Sequence, residues 1–262
     1  MKQLRLDYRV MGCRRSIIRQ VPERWTELTQ EQFLLVAQMY RGELDDSTFL
    51  QRFFRLPKQL KNIDEFFQYH LSEQVEFLAD CRVRMDHFII PSVGKLQAPV
   101  ARLKGINFAH FMFIDTAFNH YVRNERDADL DRMIALLYIK QGEIVVLPDN
   151  PTKPLSSHLL DVRKRMAEVA KLDPVVKYAI FLNYVFIKRW LSKAFPFLFP
   201  LDESDDKEEV GKKKTKAPLV SWLDIFDAFV GDDIAQMEKY QQMPCTTAFR
   251  LLDKRIRDAQ KK

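Results

Sequence analysis

The sequence predicts a mainly α fold: a multi-helix globular body with a short N-terminal β element and a tethered C-terminal helical unit. Three observations carry this. Apolar residues recur at three- and four-residue spacing through most of the chain, the period of a helix with one buried face. The chain has 262 residues, 20 of them Phe, enough apolar material for a sizeable core. Only 7 glycines are present, too few for all-β turn chemistry or glycine-rich phosphate loops.

Residues 3–10 (QLRLDYRV) and 16–21 (SIIRQV) alternate partially and are expected to pair as a hairpin around Gly12. Thr29 and Gln32 form a capping-box pair before a helix that buries Phe33, Val36, Ala37 and Tyr40, and Gly42 closes it. Asp45 or Asp46 caps a second helix carrying Phe49, Leu50, Phe53 and Phe54. A helical region, broken once, is expected over about 59–85, with Phe66, Phe67, Leu71, Val75 and Leu78 inward. Phe88–Ile90 reads as a short strand within a Pro- and Gly-marked loop. Asn107 caps an aromatic helix. Asp127 to Asp131 open the next, where the helix dipole favours acids, with Leu130, Ile134, Leu137 and Tyr138 inward. Residues 142–155, with three prolines, are expected to form a surface loop, and Ser156 to start a helix to about Leu172.

The most apolar stretch is Asp173 to Leu201. Asp173 followed by Pro174 is a helix start. The helix is apolar on nearly every side apart from a narrow stripe of Lys177, Lys188 and Ser192. Charged residues interrupt it too often for a membrane span, so it is expected to be the central core helix. Pro196 and Pro200 end it, and the Phe-rich run between them is expected to be extended and packed beneath. Asn183, on its most apolar face, is expected to hydrogen-bond a neighbouring loop backbone.

These signals place a body at 1–201, a charged flexible linker at 202–217 and a small helical unit at 218–262. The linker (DESDDKEEVGKKKTK over 202–216) has six acids, a lysine cluster and no aromatic residue. Its GKKKT run lacks the first glycine of a phosphate loop. In the unit, Trp222, Ile225, Phe226 and Phe229 follow helical spacing, Gly231 breaks it, and Met237 and Tyr240 resume it. Phe249, Leu252 and Ile256 line a last, basic helix.

The net charge of +6 is concentrated at the ends. Residues 1–24 carry +5 and the last thirteen +4, leaving the middle slightly acidic. Basic termini suit nucleic acid or an acidic protein, and they also suit plain solvation. Cys13, Cys81 and Cys245 are scattered and form no CxxC, so neither a disulfide framework nor a structural zinc site is expected. With no signal-peptide pattern in Met1 to Val10, a cytoplasmic protein is expected. None of the five histidines forms HExxH, and Asp127-Ala-Asp129-Leu-Asp131 lacks the later positions of a calcium loop. No nucleophile elbow or dinucleotide fingerprint appears. The chain is expected to be non-enzymatic, with no cofactor and no metal.

The opening VPERWTELTQEQFLLVAQMY and the pair NFAHFMFIDTAFNHYVRNERDADLDRMIALLYI resemble proteins of bacteriophage and prophage tail-assembly regions. The C-terminal WLDIFDAFVGDDIAQMEKYQQMPCTTAFRLLDKR is similar in style to small helical tail-assembly chaperones. The resemblance implies a protein that coats apolar segments of the long tape-measure protein and has no catalytic residues. On that reading the recognition residues are Trp222, Phe226, Phe229, Met237 and Tyr240, whose aromatic and Met side chains suit adaptable apolar binding. Taken singly, each of the five residues fits the unit's own core somewhat better than a recognition surface. The alternative function is a nucleic-acid-binding accessory protein using its basic termini.

Overall fold

Asp173 accepts a hydrogen bond from the Val175 N–H, Pro174 takes the first helical position, and the longest helix of the molecule follows. The computed structural model describes residues 1–10, 13–57, 65–80, 82–140, 156–200, 221–231 and 233–261. Among them the α-helices are α1 (Gln30–Tyr40), α2 (Asp46–Phe53), α3 (Glu65–Glu73), α4 (Phe108–Asn124), α5 (Asp127–Leu137), α6 (Ser156–Val169), α7 (Pro174–Ala194), α8 (Trp222–Val230), α9 (Met237–Gln242) and α10 (Cys245–Ala259). The fold is mainly α. The strands form an antiparallel hairpin of β1 (Lys2–Val10) with β2 (Cys13–Val21), and a small sheet of β3 (Ser92–Val93), β4 (Leu96–Gln97) and β5 (Ile139–Lys140) in that order.

α7 is the central core helix, with Ala179, Ile180, Tyr184, Phe186 and Leu191 completely buried. Trp25 seats its ring 4.9 Å from Phe186, and its indole N–H reaches the carbonyls of Phe77 and Asp80. The Asn183 amide accepts from Ile89 N at 2.7 Å and donates to the His87 carbonyl at 3.0 Å. It pins the segment leading to β3, as expected of a core amide bonded to a loop. The Thr29–Gln32 capping box forms, Asp45 caps α2 through Thr48 N, and Asn107 caps α4 through His110 N. Gly42 closes α1 with φ +71°, a conformation open to glycine at little strain.

Three expectations need correction, and the two lysines of the polar stripe of α7 prove to be paired with acids. Lys177 is buried against Asp131 at 3.0 Å, and Lys188 turns inward to Asp115 at 2.6 Å, because each finds a carboxylate on a neighbouring helix. The run after α7 is turned rather than extended, with Phe199 N bonded to the Phe195 carbonyl at 2.9 Å. Phe66 points outward, 83% exposed, while Leu71, Val75 and Leu78 are buried and Phe67 packs against the core. Phe66 and Phe67 lie about 100° apart on the helix, and only Phe67 shares the face of Leu71. The strand expected at Phe88–Ile90 begins after Pro91 instead, where β3 pairs with β4.

The expected loop at 142–155 and the charged linker at 202–217 fall on residues outside those described. No helix among the described residues is long and apolar enough to cross a membrane.

Candidate functional site

One set of buried polar groups meets at the middle of α4. Its sequence, FAHFMFIDTAFNHYVRN, places one acid, Asp115, on the apolar face between Phe111 and Phe118. A buried carboxylate is tolerated only when several donors surround it. Asp115 is 2% exposed and has four. Lys188 Nζ of α7 donates at 2.6 Å, Trp222 Nε1 of α8 at 2.8 Å, Asn119 Nδ2 at 3.2 Å and the Tyr184 hydroxyl at 3.3 Å. Burial, and then the Asp115 carboxylate, push the Tyr184 hydroxyl well above its ordinary range, so it remains a donor. The Lys188 ammonium also lies 4.8 Å over the Phe199 ring.

An aromatic seat surrounds this hub. Trp222 meets Phe111 at 5.4 Å and both Phe108 and Phe199 at 5.9 Å between ring centroids. Phe249 of α10 closes the seat from below, 4.6 Å from Phe111 and 5.2 Å from Phe199. Offset and edge-on pairs of this kind add roughly 0.5–1.5 kcal/mol each beyond buried area. Trp222 thus puts an apolar ring among rings and a polar N–H on the one acid.

The five residues expected at a recognition surface fall into two groups. Trp222, Phe226 and Phe229 are buried, all three against Phe108. Met237 and Tyr240 are half-buried, and Tyr240 stacks edge-on to Phe229 at 4.9 Å. α8 therefore docks on α4 through Trp222, Phe226 and Phe229, Tyr240 of α9 packs on α8, and α10 reaches α4 through Phe249. Backbone bonds reinforce the docking: Phe108 N to the Met243 carbonyl at 2.8 Å, and Cys245 N to the Ile106 carbonyl at 3.0 Å. Asp253 of α10 accepts from the N–H groups of Phe197 and Leu198 at 2.8 and 3.1 Å, fixing the turn after α7.

Asp115, Lys188 and Phe199 carry this site and were not singled out as site residues from the sequence. A lone acid on an otherwise aromatic helix face was the available signal. Its partners are 73 and 107 residues away, beyond the reach of local patterning.

Among the described residues no group of three or more His, Cys, Asp or Glu is placed to hold a metal ion. His110 is buried and donates from Nε2 to the Leu136 carbonyl at 2.7 Å, which makes it a packing histidine. Cys245 is buried beside Leu103, and burial pushes its thiol up to about 12. No family model, curated protein or solved structure matches the chain.

Proposed function

We propose that this chain is a non-enzymatic assembly factor of the phage or prophage tail type. It acts in the cytoplasm of a bacterial host and holds apolar helical segments of a partner such as a tape-measure protein. One observation carries the reading. The body already receives an amphipathic helix, α8, in an aromatic seat that has a buried hydrogen-bond acceptor for its Trp. Helix-in-groove recognition needs such a seat, with anchors at i, i+4 and i+7 on the guest. Trp222, Phe226 and Phe229 have that spacing. A partner helix with a Trp and two large apolar residues at the same spacing offers the seat equivalent contacts. The displaced α8 stays attached through residues 201–220.

Co-expression with tape-measure segments tests this. A segment carrying such a triplet is expected to stay soluble and co-purify with the full chain. Asp115→Ala, which removes the acceptor, is expected to weaken capture of a Trp-bearing segment more than of its Trp→Phe version. Failure of every apolar segment to co-purify sinks the reading.

A further inference from the structure

The hairpin is the more basic of the chain's two basic ends. Residues 2–21 hold six Lys or Arg against a single Asp, a net +5, against +4 in the last thirteen residues. The pairing register sorts these residues onto two faces. One face buries Leu4, Leu6 and Val21 and anchors the ribbon to the body. The other carries Arg5, Asp7, Arg14, Ser16 and Ile18, all exposed.

Arg5 lies 3.2 Å from Asp7, but both side chains are more than two-thirds exposed, so the pair holds Arg5 weakly. Arg14 lies on this face, whereas Arg15, paired with Tyr8, lies on the face of Leu4 and Leu6 but is exposed near the turn; neither makes an ion pair with the described residues. Arg5, Asp7, Tyr8, Arg14, Arg15 and Ser16 line an open depression of about 510 Å³. In the basic C-terminal helix, Arg255 is engaged within the molecule, donating to the Phe229 carbonyl at 2.6 Å and lying over the Phe229 ring.

Nine paired residues make a ribbon about 30 Å long. Two-stranded ribbons twist more strongly than broad sheets. The major groove of B-form DNA, about 12 Å wide, admits such a ribbon between its phosphate rails. The element is therefore narrow, twisted, basic on its solvated side and anchored on the other.

We propose that the β1–β2 hairpin is an arm that binds double-stranded DNA, with its solvated face in the major groove, Arg5 and Arg14 of that face on phosphates, and Arg15, exposed near the turn on the other face, on a flanking phosphate. This site is separate from the α4 seat, so either can fail without the other.

The test is fluorescence anisotropy of the full-length chain with a labelled 30-base-pair duplex of arbitrary sequence. Three phosphate contacts predict affinity falling about 40-fold between 50 and 200 mM salt. Replacing Arg5, Arg14 and Arg15 together by Gln is expected to lower affinity at 50 mM at least tenfold and flatten the salt slope. Asp7→Asn removes the one acid of the arm and is expected to tighten binding about two- to threefold, a gain that misfolding does not produce.

No binding at 50 mM overturns the proposal, as does a folded triple variant that binds unchanged. Polyglutamate competing as well as duplex overturns it in favour of an acidic protein partner. Tighter binding of a single strand than of duplex overturns the groove assignment. If the triple variant loses its helical circular dichroism, Asp7→Asn decides, and unchanged or weaker binding there overturns the proposal.

Discussion

Asp115 gathers donors from α4, α7 and α8, and a buried carboxylate of this kind cannot be removed without stranding its partners. Asp115→Ala leaves the Lys188 ammonium without its counter-charge and the Trp222 N–H without an acceptor. The expected loss is about 3 kcal/mol in urea unfolding, reduced somewhat by the partial exposure of Lys188. Asp115→Asn keeps an acceptor for Trp222 and is expected to lose about half as much. A loss under about 1 kcal/mol for the alanine variant would refute the hub. His110 supplies a pH dependence. Burial, opposed by its bond to Leu136 and assisted by nearby Arg165, lowers it to about 4. The unfolded chain protonates this ring near pH 6.5, so between about 6.5 and about 4 the unfolded state binds more protons. Stability is fully present above that window and is lost as pH falls through it, by at most about 3 kcal/mol. Urea midpoints from pH 7 to 4.5 should show the decline, and His110→Gln should flatten it. An equally steep decline in the variant would assign the effect elsewhere. At this scale, legibility depended on range. The Asn183 amide could be anticipated because a polar group on an apolar face must bond something nearby. The Asp115–Lys188–Trp222 set could not, because nothing local names partners so far apart in sequence.

Helix starts were legible because a cap acts within three residues. Thr29, Asp45, Asn107 and Asp173 all cap as expected. Which neighbour faces inward was less legible. The Phe66–Phe67 pair shows why: adjacent aromatics both satisfy a loose helical pattern, and only the packing of neighbouring elements selects one. The C-terminal helices raise the same question for a whole element, and a chemical probe is built in. Cys245, at the start of α10, is buried and its thiol is held at about 12 by burial, so it reacts only when α8–α10 leave α4. With Cys13 and Cys81 replaced by Ser, alkylation of Cys245 under native conditions reports that departure. Trp222→Ala removes a buried indole and is expected to weaken docking by about 3 kcal/mol. Labelling should therefore accelerate about 100-fold, since each 1.4 kcal/mol is a factor of ten. An unchanged rate would mean that the backbone bridge at Asn107–Pro244 and the Asp253 contacts hold the unit without Trp222.

Across the whole molecule, the division read from the sequence and the packing lead to different unfolding behaviour. A charged segment of some sixteen residues between apolar helices reads as a boundary, because a stretch with so few apolar side chains cannot build a core. Composition says nothing about what the helices beyond it pack against. In the structure one continuous hydrophobic cluster runs from Leu4 and Trp25 through α4 and α7 to Trp222, Phe249 and Leu252. Elements that share a core lose each other's buried surface when either opens, so they are expected to unfold together. Two tryptophans sit where this can be read. Trp25 packs near the hairpin against Phe33, Phe77 and Phe186, and Trp222 packs in the α4 seat. With Trp190→Phe and either Trp25→Phe or Trp222→Phe, each remaining indole reports one end of the cluster. The two fluorescence transitions in urea and the far-ultraviolet circular dichroism are expected to coincide within about 0.3 M, on m-values of a few kcal/mol per M. An earlier transition at Trp222 alone would make α8–α10 a separately opening unit. In that case the seat on α4 would empty well before the body unfolds, which is the state that the proposed capture of a partner helix requires.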